Sequence, residues 1–375
     1  MKSGEFHQNI KRVCSLSLLL ILFGFICSSG CISNLNSNST QTLDKSSQSI
    51  HQITIIDDLN RTVVLPDYPK RIVSVNHNVL NLLIAYGAGD KIVGVPEYVL
   101  GDQIIMSHLP NAVGVGGSLA NVNCEQMIAL KPDVILAFAG YKPRASDRID
   151  MANIPIIYLN AYYITDIQKD SHIIGQLAGN ESKSDEYNDL VTNYLALIDN
   201  RTSNQSTTPL RVYLEWSSDN IAQGKNSQGD RIMKALHATN IAGDINLDYP
   251  TINNEWVVKQ NPDVIIKFVT STGLRENTTS FLNEYHKIGD RTGYSTISAV
   301  QNHRVYLVNQ DLMSNSRGIA GILYLAKALY PSKFIDIDPH LVLKEYADKF
   351  QPDADKIQQF FSPSQESGGN LSLYK

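Results

Sequence analysis

The sequence predicts an α/β protein of two Rossmann-like lobes joined by a long helix, and three observations predict it. First, Glu125-Gln-Met-Ile-Ala-Leu-Lys-Pro132-Asp133-Val134-Ile135-Leu136 recurs without a gap as Glu255-Trp-Val-Val-Lys-Gln-Asn-Pro262-Asp263-Val264-Ile265-Ile266, with five of twelve positions identical at an offset of 130. Second, apolar β-branched runs alternate with helical patterns, the rhythm of a mainly parallel sheet. Third, the longest helical pattern falls between the two copies.

Each copy reads as a short helix, a Pro-Asp stop and a buried strand. The residue before proline is pushed out of helix, and the run after it is apolar and β-branched. Helix, Pro-Asp, strand is common in α/β proteins. The glutamate seven residues before each proline makes duplication the better account.

Residues 53–56 and 62–65 flank the polar turn Asp57-Asp58-Leu59-Asn60-Arg61 and read as a β-hairpin. Strand candidates follow at 71–75, 91–95, 133–138 and 155–159, with a helix at 79–86. After residue 161 the pattern turns helical at 165–178 and 181–200, the second carrying Tyr187, Leu190, Val191, Tyr194, Leu195 and Ile198 at helix spacing. That helix is roughly 30 Å long. A polar linker, 201–209, precedes strands at 210–215, 263–269 and 304–308 and helices at 318–330 and 339–350. The expected organisation is an N-terminal lobe over 53–163, connecting helices and linker over 164–209, a C-terminal lobe over 210–350 and a polar tail over 351–375.

At 375 residues the chain exceeds one typical core, and 43% hydrophobic with 18% charged residues is ordinary for a globular protein. The net charge of −5, with no basic stretch beyond Lys11-Arg12, argues against a nucleic-acid partner. The N-terminus carries Lys2, Lys11 and Arg12, an apolar run over 13–26, then Ser28-Ser29-Gly30-Cys31. This is an export signal, its apolar run short of the roughly 20 residues that span a bilayer. Small residues before a cysteine resemble a lipoprotein signal, 1–31, with Cys31 as the lipidated N-terminus, although Ser28 stands where such signals usually carry an aliphatic residue. An uncleaved anchor or ordinary signal-peptidase cleavage are the alternatives. Residues 32–52, rich in Ser, Asn, Thr and Gln, read as a flexible tether holding the folded part at the outer face of the cytoplasmic membrane. With Cys14 and Cys27 lost in the signal and Cys31 lipidated, Cys124 has no partner and reads as a small buried hydrophobe. Iron-sulfur clusters and cysteine-based zinc sites are excluded on count.

Several segments together resemble the extracytoplasmic substrate-binding proteins of ABC importers for iron chelates (siderophores, haem) and cobalamin. They are Ile55-Ile-Asp-Asp-Leu-Asn-Arg61-Thr-Val-Val-Leu-Pro66 leading to Pro69-Lys-Arg71-Ile-Val-Ser; Tyr86-Gly-Ala-Gly-Asp-Lys-Ile-Val-Gly-Val95; Gly114-Val-Gly-Gly before the Glu125 motif; and Gly321-Ile-Leu-Tyr-Leu-Ala-Lys-Ala-Leu-Tyr-Pro331 before Phe334-Ile-Asp-Ile-Asp338. The likeness covers about residues 53–350. In the family a glycine usually precedes the arginine of the first turn; here it is Asn60, which also tolerates positive φ.

The resemblance implies the helical-hinge periplasmic-binding-protein fold, a transported iron chelate, haem or cobalamin with no intrinsic cofactor, and no catalysis. It implies a monomer that works with an ABC permease dimer and its ATPase subunits. Glu125 and Glu255 fall where the family places the acidic residue of each lobe that pairs with permease arginine. A two-fold permease calls for one anion per lobe; the bland alternative for each is a solvated charge in a first helical turn.

Ligands of open parallel sheets bind beyond the carboxyl ends of strands. That rule selects His77, Tyr98, Tyr141, Lys142, Tyr162, Trp216 and Arg317, with Trp216, Tyr141 and Arg317 foremost. Aromatic rings and a guanidinium suit planar, anionic chelates, and lobe packing is the alternative for each. A carrier of bare metal ions would need converging ligands, yet His51, His77, His108, His172, His237, His286, His303 and His340 show no paired spacing. An enzyme would show a phosphate loop, Gly-x-Gly-x-x-Gly or Gly-x-Ser-x-Gly, and none occurs. A surface adhesin would not require duplicated glutamates.

Overall fold

Two parallel sheets form where the sequence places its β-branched runs. The computed structural model describes residues 51–375 apart from 117–120, 141–145, 204–207, 270–277, 314, 353, 355–359, 364–370 and 374–375. All of it belongs to one compact unit, Ile50–Lys375. The signal, Cys31, residues 32–50 of the tether, and both Tyr141 and Lys142 lie outside the described residues.

Strands β1 (Ile53–Ile56) and β2 (Thr62–Leu65) form the expected antiparallel hairpin. Its turn is a knot around buried Asp57, which accepts from Arg61 Nε (3.0 Å) and Nη2 (2.7 Å) and from the backbone N–H of Leu59 and Arg61. Asn60 has φ 57°, the left-handed conformation its side chain tolerates.

The N-terminal sheet comprises β3 (Ile72–Ser74), β4 (Ile92–Val95), β5 (Val113–Gly114), β6 (Val134–Phe138) and β7 (Ile156–Leu159). Its order is β5-β4-β3-β6-β7, every pair parallel. The hairpin turn is clamped to edge strand β7: Asp58 N donates to Tyr158 O (2.9 Å), and Asn160 N donates to Asp58 Oδ2 (2.7 Å). An otherwise open strand edge is thereby covered.

The C-terminal sheet comprises β8 (Arg211–Glu215), β9 (Thr239–Asn240), β10 (Val264–Val269), β11 (Val305–Asn309), β12 (Phe360–Pro363) and β13 (Leu371–Leu373), in the order β13-β12-β11-β10-β8-β9. The first four in chain order pair in parallel; β12 and β13 add antiparallel. The segment beyond residue 350 is therefore more than a polar tail. The free edge of β11 offers backbone hydrogen bonds to any extended segment, and pairing of that kind leaves little trace in composition.

Structure repeats where sequence repeats. Asn123 and Asn253 cap helices Cys124–Ala129 and Asn254–Gln260, accepting from Gln126 N (3.1 Å) and Trp256 N (2.8 Å). Lys131 and Asn261 take φ of 47° and 44° just before the prolines. Asp133 Oδ2 then accepts from Arg71 N at the start of β3 (2.9 Å), as Asp263 Oδ2 does from Arg211 N at the start of β8 (2.8 Å). The same arginines donate back to the helix ends, Arg71 Nη2 to Leu130 O (2.7 Å) and Arg211 Nη2 to Gln260 O (3.0 Å). Each Pro-Asp thus ties its helix to the neighbouring strand.

Between the lobes run helices Ile167–Ala178 and Glu181–Thr202, parted by Gly179 at φ 71°. The second has 22 residues, two more than its apolar spacing predicts. One apolar core unites Leu83 and Ile157 of the first lobe, Tyr187 and Val191 of the long helix, and Leu214, Phe268 and Leu323 of the second. Smaller clusters cover the other face of each sheet, around Val73 and Ile135, and around Tyr213 and Ile265. A core shared across the lobes resists wide opening, because separating them would expose that apolar surface. None of the described helices is long and apolar enough to cross a membrane.

Candidate functional site

Trp216 is the first residue after β8, and its half-buried indole lies 5.0 Å from the Tyr249 ring and 6.0 Å from the Phe268 ring, centroid to centroid. Its backbone is fixed by a 2.7 Å bond from Trp216 N to Ile221 O. From the other lobe comes Tyr162, just beyond β7. Burial pushes its hydroxyl well above the usual tyrosine range, and a hydrogen bond with the Tyr249 side chain raises it further. Sequence-selected residues from both lobes, Trp216 and Tyr162, therefore meet through Tyr249. Sequence reasoning missed Tyr249, which lies in an irregular loop after β9 with no periodic signal.

A second contact joins the lobes beside this wall. Arg231 lies 4.1 Å over the Tyr163 ring and pairs with Asp166 at 2.6 Å. Gln228, three residues before it, donates to the Met313 carbonyl. A cavity of about 200 Å³ opens here, lined by Asn160, Tyr162, Tyr163, Lys169, Asp170 and Arg231 among others. Lys169 pairs with Asp58 at 2.8 Å.

Asp170 is almost fully buried behind that cavity, and Ala161 N donates to its Oδ2 (2.6 Å). Burial raises its carboxyl from 3.8 to about 6; the Ala161 N–H opposes the rise and Asp58 adds to it. A folded-state value above the unfolded one means that the native state holds the extra proton between those values. The stability this group contributes is full below pH about 4 and is lost as pH rises through about 6. Asp170→Asn, which keeps an acceptor for Ala161 N, is expected to flatten the melting temperature between pH 4 and 6 and to raise it at pH 7. A thermal-melt series across that range checks both.

His77 follows β3 and begins helix His77–Ala85, whose cap Asn76 also donates to Leu159 O (2.7 Å). His77 stacks on Tyr98, centroids 6.2 Å apart, and Tyr98 is half exposed. Arg317 is 5% exposed at the start of helix Gly318–Leu329. It belongs to the packed floor between the lobes, near enough to Tyr346 to oppose the rise to about 12 that burial imposes on that hydroxyl. The same floor holds Tyr187, whose hydroxyl donates to Ser316 O (3.0 Å), and Gln351, which donates to Asn81 (3.4 Å).

Behind Trp216 lies a buried ion network. Glu215 and Lys267 are fully buried, 3.6 Å apart. Arg291 grips both Glu215 oxygens (3.0 and 2.8 Å) and reaches Asp219 (3.0 Å), which also pairs with Lys267 (2.7 Å). Asn220 N donates to Glu215 as well (2.5 Å), so the turn carrying Trp216 is anchored on this network.

Glu125 and Glu255 each occupy the second position of an Asn-capped helix, and both are exposed. Glu125 pairs with Arg148 at 2.7 Å.

The family described as periplasmic binding protein matches this chain over residues 72–312. The chain belongs to that family. FepB of Veillonella parvula, a TroA-like periplasmic binding protein, superimposes on this periplasmic binding protein with a TM-score of 0.70 at 26% identity, over 80% of this chain and 96% of that one. YvrC, an ABC transporter substrate-binding lipoprotein of Bacillus subtilis (strain 168), is 29% identical over 323 residues, 84% of this chain and 96% of the relative. A cobalamin-binding protein of Halobacterium salinarum is 25% identical over 255 residues, 66% of this chain and 67% of the relative. This periplasmic binding protein is thus a substrate-binding component of ABC transport, not an enzyme.

Proposed function

We propose that the chain captures a metal chelate, a corrinoid or an iron chelate such as a ferric siderophore or haem, between its lobes and hands it to an ABC permease. On this reading Cys31 carries the lipid, residues 32–52 tether the carrier to the outer face of the cytoplasmic membrane, and Glu125 and Glu255 dock it. The observation that carries the proposal is the two-lobed aromatic wall, Trp216 and Tyr249 met by Tyr162 and backed by the buried Phe268, with the Arg231 guanidinium beside it. Broad π faces and a cation suit a large planar ligand with acidic side groups. The cobalamin-binding relative favours a corrinoid among the chelates.

The test is a ligand screen on the fragment lacking residues 1–31, with cobalamin, haem, ferric siderophores, molybdate and bare Zn²⁺ and Mn²⁺. A ligand at a hundred times its Kd stabilises the fold by about 2.7 kcal/mol, enough to move the melting temperature. The chain has two tryptophans, Trp216 and Trp256, so quenching by the ligand should vanish in Trp216→Phe. Stabilisation by Zn²⁺ or Mn²⁺ alone would overturn the chelate reading.

A further inference from the structure

The two lobes repeat the same frame around their docking glutamates but not the same electrostatics. Both helices start from an asparagine cap, both carry the glutamate at the second position, and both end in a left-handed residue before Pro-Asp. The difference is Arg148. It lies on helix Ser146–Met151, which packs against helix Cys124–Ala129, and its Nη1 is 2.7 Å from Glu125 Oε1. Glu255 has no ion-pair or hydrogen-bond partner among the described residues.

We infer that Arg148 competes within the chain for the cation that a docking partner offers Glu125, so that the C-terminal lobe engages first and the N-terminal lobe engages only as its own ion pair opens. This rests on the docking reading of Glu125 and Glu255. Two carboxylates in duplicated frames fit a partner that presents the same cation twice. At Glu255 that cation meets a carboxylate with no ion-pair partner among the described residues. At Glu125 it must displace Arg148, whose guanidinium already holds Oε1 at 2.7 Å. Both members of the pair are exposed, 60% and 77%, so the barrier is modest and screened by salt. An exposed pair of this kind is worth about a two- to fivefold change in an equilibrium constant. The effect is therefore one of order and rate rather than a block, in line with what charges at an interface rim usually control.

The experiment titrates the full-length carrier against the cognate permease–ATPase complex in lipid nanodiscs at low and high salt. Arg148→Ala is expected to tighten binding about two- to fivefold at low salt and less at high salt. Arg148→Glu, which sets a second anion beside Glu125, is expected to tighten it further. In the wild type Glu255→Ala should weaken docking more than Glu125→Ala, and Arg148→Ala should erase that asymmetry. Arg148→Ala in the Glu125→Ala background should change nothing. If both glutamate variants weaken docking while Arg148→Ala leaves it unchanged or weakens it, the competition is refuted and the docking reading stands. If neither glutamate variant weakens docking, both fall together.

Discussion

Replacing Glu125 and Glu255 together by alanine is expected to abolish uptake while leaving the affinity for ligand intact. Both side chains are solvent-exposed, and neither contributes to the aromatic wall or to the core shared by the lobes. Their loss removes no buried contact, so the stability should stay within about 0.5 kcal/mol of wild type. On the proposed docking, what it removes is charge complementarity with the permease, which sets encounter rate and register. One remaining glutamate can still guide a lobe; with neither, the carrier reaches the permease without orientation. Uptake by cells carrying the double variant, beside a binding titration on the purified protein, separates the two effects. Undiminished uptake would end the assignment of these residues to docking.

Glu215→Leu is expected to cost about 3–5 kcal/mol of stability, the loss typical when one partner of a buried charge set is removed. Lys267 has no exposure at all and Arg291 little; without Glu215 the close carboxylate they keep among the described residues is Asp219, with Glu284 at 3.9 Å from Lys267. Leucine also withdraws the acceptor from Asn220 N, so the turn carrying Trp216 loses its anchor. Asp219→Asn makes the comparison, because Asp219 is about half exposed and solvent can replace it; its cost should be roughly 1 kcal/mol or less. Urea unfolding followed by circular dichroism measures both. Equal costs for the two variants would show that the network behaves as a surface cluster and not as a buried one.

The hairpin, the parallel strands and the long helix lie close to where the sequence places them, because each is signalled by neighbours along the chain: β-branched runs, Pro-Asp stops, apolar residues at helical spacing. The duplication was legible for the same reason, and the matched asparagine caps and Asp-to-strand bonds extend it to positions where sequence comparison is weaker. Two short edge strands, β5 and β9, and the added pair β12–β13 left no such signal, since two-residue strands carry no periodicity and edge pairing asks little of composition.

The candidate site was legible in part. Strand-end position selected Trp216 and Tyr162, which the structure brings to either side of Tyr249, and selected separately His77 and Tyr98, which the structure stacks. It gave no hint of Tyr249 or of the Arg231–Asp166 pair, whose members are 65 residues apart, one in the second lobe and one at the start of the connecting helices. Nor did it separate Arg317, which is buried in the floor, from the residues of the wall.

By itself the amino-acid sequence determined the class of fold and the repeated frame that carries Glu125 and Glu255, because these rest on local propensity and on a repeat that any reader of the chain can align; the family came from the resemblance of its motifs. Only the tertiary structure decided which aromatic rings face one another, that one core runs through both lobes, and that Arg148 covers Glu125 while Glu255 has no such partner among the described residues. Those facts depend on how lobes and helices pack across long stretches of chain, and contact energy is set by distance in space, to which separation in sequence is a poor guide.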